Sequence, residues 1–331
     1  MKIAVIGAGA IGGLVAAYLK IKDESVSVVA LADTVNKVRT AGLKISGARG
    51  DFQVAVDISD KLDFCPDLAI FATKTQDMES AVRRNHEFLQ ESIILTTQNG
   101  LQAEKIAARF VPEENILSSI VMFGSTYLEP GKITHNFEGS WIIGSAFVAN
   151  NTKVTEVSAI LNKIFPIIVA EDIKGMKYLK VFVNANNCIP AILGKSMQEA
   201  FSDLEVSKIS MAIWKEGLDI VNRSGVRLES LPDFPLERLT KLTSMPIEES
   251  ARIYSGIMLG LSKEPLYGSI LQSIKRGKAS EIDYINGEFV SLARANNLPA
   301  PLNEKLVSLV HQVERSGKFF TKEELLKEVN E

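Results

Sequence analysis

Apolar positions set the first half of this chain to one rhythm and the second half to another. Up to about residue 170, short apolar runs bounded by polar or glycine-containing turns recur at 2–6, 25–30, 67–72, 92–97, 118–127, 131–135, 140–144 and 167–170. Short runs rich in Ile and Val, closed off by such turns, read as strands. Segments of helical period lie between them, at about 10–20, 78–89, 101–110 and 154–165. Strand and helix in alternation predict an α/β fold with a Rossmann-type, doubly wound parallel sheet. Beyond Asp172 the strand signals stop, and helical spacing dominates at 179–193, 199–223, 236–242, 247–261, 265–275, 281–296 and 303–316. The prediction is a dinucleotide-binding domain over 1–171 and an all-helical substrate domain over 172–331, with the cleft between them as the natural substrate site.

Composition narrows the function. A net charge of −3 with scattered Lys and Arg gives no phosphate-backbone footprint and no polybasic membrane patch, so neither nucleic acid nor a membrane is an expected partner. Cys65 and Cys188 lie far apart without metal-ligand spacing, which points to reduced thiols in a cytoplasmic protein and to no metal site. Lys2 and the apolar run from Ile3 to Leu19 mimic a signal peptide, but Gly7, Gly9, Gly12 and Gly13 interrupt the run where a strand would turn into a helix. A buried strand and turn are expected there.

Those glycines carry the first chemistry. VIGAGAIGG gives G-x-G-x-x-G directly after a strand and at the opening of a helix. Gly7 permits the tight turn, Gly9 lets a pyrophosphate approach the backbone, and Gly12 lets helix and strand pack closely. The loop of Gly7, Ala8, Gly9, Ala10, Ile11 and Gly12 is the expected cofactor seat. In such sheets ligands sit beyond the C-terminal strand ends, which nominates Lys74 for the nucleotide phosphates and Asn99 for the nicotinamide side. A solvated lysine and an Asn-Gly turn explain the same two residues equally well. Asp33, 21 positions after Gly12, suits the ribose hydroxyls of NAD(H), although capping the next helix is its competing role. Lys37 and Arg39 suit the extra phosphate of NADP(H).

The stretch KYLKVFVNANNCIP places three asparagines, poor helix formers, within helical sequence. Lys180, Asn184 and Cys188 are spaced i, i+4, i+8 and are expected to share one face lining a polar cleft. A lysine there suits a general acid, because carbonyl reduction leaves an alkoxide that needs a proton. An ordinary lysine beside polar surface is the competing explanation.

LKVFVNANNCIPAILG resembles the signature helix of the ketopantoate reductases (2-dehydropantoate 2-reductases), in which an asparagine follows a lysine by four residues. VIGAGAIGG, QNGLQ, LEPGKITHNFEGSWIIG and SILQSIKRGKASEIDYINGEFVSLARANNLPAPLNEKL resemble the same family in the same order, over nearly the whole chain. Read without the family, SEID is a capping box from Ser280 to Asp283. The resemblance implies Lys180 as proton donor and Glu281 as a catalytic carboxylate that orients the substrate hydroxyl. It implies Asn99, Asn184 and Ser269 as substrate ligands, with Cys188 at the position of a further asparagine. Two departures stand out: Cys188 replaces that asparagine, with Asn187 one place earlier, and Leu31 stands where many members carry the arginine that grips the NADP phosphate. The stretch between Asn184 and Ser269 is longer than in shorter members, which predicts an extra helical segment around 230–261. The implied function is NADPH-dependent reduction of 2-dehydropantoate to (R)-pantoate for pantothenate and coenzyme A synthesis, with homodimerisation left open. The alternatives are a reductase of the same architecture acting on another 2-oxo acid, and a non-catalytic NAD(P)-binding sensor.

Overall fold

The structure is a computed structural model that describes residues 1–262 and 264–330. Among the described residues twelve strands form: β1 (Lys2–Ile6), β2 (Ser25–Val29), β3 (Leu43–Gly47), β4 (Phe52–Val54), β5 (Asp57–Ser59), β6 (Leu68–Phe71), β7 (Ile93–Thr96), β8 (Ile116–Val121), β9 (Gly124–Glu129), β10 (Lys132–Phe137), β11 (Trp141–Ser145) and β12 (Ile167–Val169). The main sheet runs β12-β11-β8-β7-β6-β1-β2-β5 and is parallel except where β11 opposes β8. Successive strand side chains point to opposite faces, so a sheet covered on both sides needs unbroken apolar runs. β1 shows this: Ile3 and Val5 join one core, Ala4 and Ile6 the other. β6 divides in the same way, Leu68 and Ile70 against Ala69 and Phe71.

The chain passes from β1 to β2 on one side and later returns to β6 on the other side of β1. Strand order reverses between β1 and β6, the place where open α/β sheets bind ligands. Close register ties the loops there together, since the Ala72 amide donates to Ile6 O at 2.8 Å and the Gly7 amide to Val29 O at 2.8 Å.

A second sheet, β4-β3-β10-β9, was not foreseen. The apolar stretch expected as one strand over 118–127 is two strands in two sheets, because the chain turns at Met122 and Phe123. Phe123 is drawn into the core, where its ring stacks on Phe165 with centroids 3.7 Å apart.

Two compact units divide the chain, Met1–Lys174 and the residues from Gly175 on, three residues beyond the expected boundary. The second unit is helical. The helix expected over 199–223 breaks in two, Met197–Phe201 and Leu204–Arg223, because the Asp203 carboxylate caps the second piece, accepting from the Glu205 and Val206 amides. In the long helix Gly217 leaves room for the Phe182 and Phe289 rings, which a Cβ would meet at 3.0 and 2.9 Å. Helices Leu236–Ser244 and Ile247–Leu259 occupy the segment expected to carry extra helix, and Lys322–Asn330 is a helix that periodicity did not reveal. Among the described residues no helix is long and apolar enough to cross a membrane.

Candidate active site

In the first unit the glycine loop has the geometry its spacing implies. Gly7 has φ +107°, and a Cβ there would lie 2.8 Å from the Ala72 carbonyl carbon and the Thr73 amide nitrogen. A Cβ on Gly12 would fall 1.9 Å from Gly7 O and 2.8 Å from Ala72 Cβ. At Gly9 a Cβ would meet nothing within 4 Å. The helix Ala10–Ile21 therefore begins at an open cradle: no side chain caps it and no acidic residue sits in its first turn. Its free amides suit a pyrophosphate. Beside Gly7, Thr73 Oγ1 is a buried hydroxyl without a partner among the described residues, a donor that a phosphate oxygen fits.

Two expected residues flank this cradle. Lys74 is the N-cap residue of helix Thr75–Asn85, directly after Thr73, and is partly exposed. Asn99 precedes Gly100, whose φ is +78°, and its carbonyl lies 3.5 Å from Thr75 Oγ1. Gln98, in the same loop as Asn99, is the clamp. Its buried amide donates to Phe71 O at 3.1 Å and Thr73 O at 3.0 Å, and its Oε1 accepts from the Thr97 amide at 3.0 Å. It binds the loop after β7 to the loop after β6. Beyond β2, Leu31 is 74% exposed. Asp33 does not cap the following helix: Leu31 holds the N-cap position, no side chain caps, and Asp33 lies exposed in the first turn. Arg39 points to Ile58 O at 3.4 Å, and Lys37 is exposed.

In the second unit Lys180 and Asn184 lie one turn apart on helix Ile173–Ala185, both partly exposed. Desolvation pulls the Lys180 ammonium down to about 8, opposed by the negative charge of Asp233. The expected helix over 179–193 does not run through. It ends at Ala185, Asn186 and Asn187 form a turn, and a second helix runs Cys188–Leu193. The Asn187 and Ile189 amides bond three residues back, to Asn184 O and Asn186 O. Pro190 has no N–H to donate, so the four-residue ladder fails there.

That break corrects one expectation. Cys188 does not extend the Lys180 face toward a substrate; it is wholly buried, Asn286 is its hydrogen-bonding neighbour, and burial pushes its thiol up to about 12. Of the two asparagines in the turn, Asn187 stays partly exposed, packed against Gly268, where a Cβ would lie 3.3 Å from its Cβ and Cγ. Ser269 follows as the first residue of helix Ser269–Lys275 and is exposed. Asn186 turns into the core beside the Tyr254 hydroxyl.

Glu281 is partly exposed, and its neighbours are tied down. The capping box expected from Ser280 to Asp283 does not form. Ser280 Oγ accepts from the Ile282 amide at 3.3 Å, the Asp283 carboxylate meets His311 Nε2 at 3.0 Å, and only a 3-10 turn, Ile282–Tyr284, precedes the helix Asn286–Ala295. Glu314 accepts from the Ser280 amide at 2.7 Å and meets His311 Nδ1 at 2.8 Å. Among the described residues no His, Cys, Asp and Glu side chains are grouped to hold a metal ion.

Comparison with known proteins covers both halves of the chain. The family model "Ketopantoate reductase PanE/ApbA" matches residues 3–146, and its C-terminal counterpart matches residues 172–314. A 2-dehydropantoate 2-reductase of Pyrococcus horikoshii is 29% identical over 96% of this chain and 99% of its own, and one of Pyrococcus abyssi 28% over 94% and 97%. Among solved structures, a D-mandelate dehydrogenase with NADH and anilino(oxo)acetate superposes with TM-score 0.82 at 23% identity, covering 96% of this chain and 99% of that one. A PanE/ApbA family ketopantoate reductase from Ralstonia eutropha does so with TM-score 0.79 at 23% identity, over 95% and 99%.

Proposed function

The chain belongs to the ketopantoate reductase family of NAD(P)-dependent oxidoreductases, and from that premise we propose that it reduces the C2 carbonyl of 2-dehydropantoate to (R)-pantoate with NADPH. The observation that carries this reading is Lys180: a desolvated ammonium at about 8, one helical turn from an amide, in a chain that matches the family in both halves. Bound NADPH supplies the hydride that reaches the carbonyl carbon. Lys180 gives its proton to the carbonyl oxygen as negative charge develops there, and the lowered pKa makes it a stronger acid that is still mostly protonated at neutral pH. Its partial exposure lets solvent return the proton. Glu281 accepts from the substrate hydroxyl, while Asn99, Asn184 and Ser269 donate to its carboxylate and hydroxyl oxygens.

In this reading the glycine loop from Gly7 to Gly12, through the amides at the start of helix Ala10–Ile21, and Lys74 hold the pyrophosphate, with Thr73 Oγ1 as a further donor. Lys37 and Lys74 meet the extra phosphate of NADPH, because Leu31 offers no charge and Arg39 is turned to Ile58. NADH remains the alternative, supported by the exposed, non-capping Asp33. The enzyme acts on small molecules in the cytoplasm and engages neither nucleic acid nor membrane. A second substrate reading, another 2-oxo acid, is favoured by the buried Cys188, which removes one polar contact from the expected set. Steady-state turnover of a panel of 2-oxo acids with NADPH and with NADH tests the proposal. Reduction of another 2-oxo acid with none of 2-dehydropantoate would overturn it.

A further inference from the structure

Glu281 is held by what lies on either side of it. Ser280, one residue before, is buried and gives its amide to Glu314 Oε1 at 2.7 Å. Asp283, two residues after, meets His311 Nε2 at 3.0 Å, and the other ring nitrogen of His311 meets Glu314 Oε2 at 2.8 Å. Glu314 and His311 are both on the helix Pro301–Ser316, so one helix grips the Glu281 segment at two points through a single imidazole and a single carboxylate.

The chemistry of that grip is specific. An ionised carboxylate only accepts hydrogen bonds, and a neutral imidazole carries one N–H. Serving Asp283 and Glu314 together therefore requires both ring nitrogens to be protonated. Burial opposes the charge on His311, but the two carboxylates outweigh it and raise its pKa. Of the other charged side chains along this helix, Glu304 pairs with Arg294 and Lys305 with Glu328, while Arg315, four residues after His311, is exposed to solvent; from the helix Leu204–Arg223 the Glu216 carboxylate accepts from the Leu302 and Asn303 amides.

We propose that His311 is a positioning residue for the reductase: as an imidazolium it locks Asp283 to Glu314, and so fixes the orientation of Glu281 between them. The inference rests on the assignment of Glu281 as the group that orients the substrate hydroxyl. Below the ordinary histidine range the lock is complete. As pH rises through the raised folded value the ring keeps one N–H, one carboxylate is released, and the hold on Glu281 loosens.

The experiment compares kcat/KM against pH for the wild type, His311→Gln, His311→Arg and Glu281→Gln, together with NMR titration of the histidine ring signals. The chain has only three histidines, so His311 is assignable by substitution. His311→Gln should lower kcat/KM at slightly acid pH by about tenfold, the scale on which misplacing a substrate-holding group acts. His311→Arg, which has N–H groups for both carboxylates, should restore it to within about threefold and keep it over a wider alkaline range. In the Glu281→Gln background, His311→Gln should add no further loss. In the wild type the His311 signal should titrate at higher pH than in Asp283→Asn. Should Glu281→Gln turn over normally, the assignment of Glu281 fails. If Glu281→Gln is impaired while His311→Gln is not, or if His311 titrates alike in wild type and Asp283→Asn, the positioning role is wrong and the Glu281 assignment stands. Were His311→Gln to misfold, the Arg variant and the wild-type titration would decide.

Discussion

The indole N–H of Trp214 donates to the carbonyl oxygen of Phe182 at 2.8 Å, inside the core. Phe182 lies between Lys180 and Asn184, so the helix Leu204–Arg223 is bonded to the turn that presents both. Trp214→Phe keeps most of the ring packing and leaves that carbonyl without this donor. The expected cost is about 1–2 kcal/mol of stability by denaturant unfolding, with a several-fold loss of kcat/KM from a looser Lys180. An unchanged midpoint and unchanged kinetics would show that the bond plays no part.

Lys180→Ala should lower kcat by about 10²–10⁴-fold while the affinity for NADPH stays within a few-fold, since only proton donation is lost. A variant with near-normal kcat at saturating substrate would sink the proton-donor role.

The same lysine sets a pH signature. Reduction needs its protonated form, so kcat should be level below about 8 and fall above it. Stability moves the other way: the folded pKa lies below the unfolded value of 10.5, so the buried charge costs stability below about 8, and the cost fades as pH rises from there toward 10.5. Lys180→Met should raise neutral-pH stability by about 1–2 kcal/mol, less than the full shift because the residue is partly exposed, with no gain above pH 10.5. Parallel unfolding curves at pH 7 and above 10.5 check the sign.

The asparagines should separate by position. Asn184→Ala is expected to cost about 1–3 kcal/mol in kcat/KM by leaving a substrate oxygen unpaired, whereas Asn186→Ala, deep in the core, should leave the kinetics nearly intact. Cys188→Asn should act on folding: a larger polar side chain forced into a filled site costs about 1–3 kcal/mol, seen in unfolding rather than in substrate preference. A shift among 2-oxo acids without loss of stability would return Cys188 to the substrate.

Leu31→Arg should raise the ratio of kcat/KM for NADPH over NADH by about tenfold or more, supplying a planar cation where the extra phosphate is proposed to sit. A ratio left unchanged would move that phosphate elsewhere.

What could be foreseen depended on how local the determining physics was. Gly7 and Gly12 were legible because close backbone approach excludes a side chain wherever strand turns to helix. The main sheet was legible because β1, β6 and β7 are apolar on both faces. β4 and β5 are three residues each, β4 mostly exposed and β5 with Ile58 as its one buried residue, too short an apolar pattern to register, which hid the second sheet and the sheet edge. The turn at Asn186 and Asn187 left the apolar spacing almost in phase, so periodicity ran through it, and Pro190 was the signal that should have stopped the helix. The capping box at Ser280 failed for a different reason: the partner of Asp283 is 28 residues away, beyond any local pattern.

Leu31 places an apolar side chain in water at the tip of β2, with three-quarters of its surface unused by the fold. A site with so little packing at stake is one that mutation can sample freely. The proposed discriminator between the two nicotinamide cofactors therefore sits where drift is cheap, while Gly7 and Gly12 of the cradle are locked by close backbone contacts that leave no room for a side chain. Relatives of this chain can be expected to diverge in coenzyme preference long before they diverge in architecture.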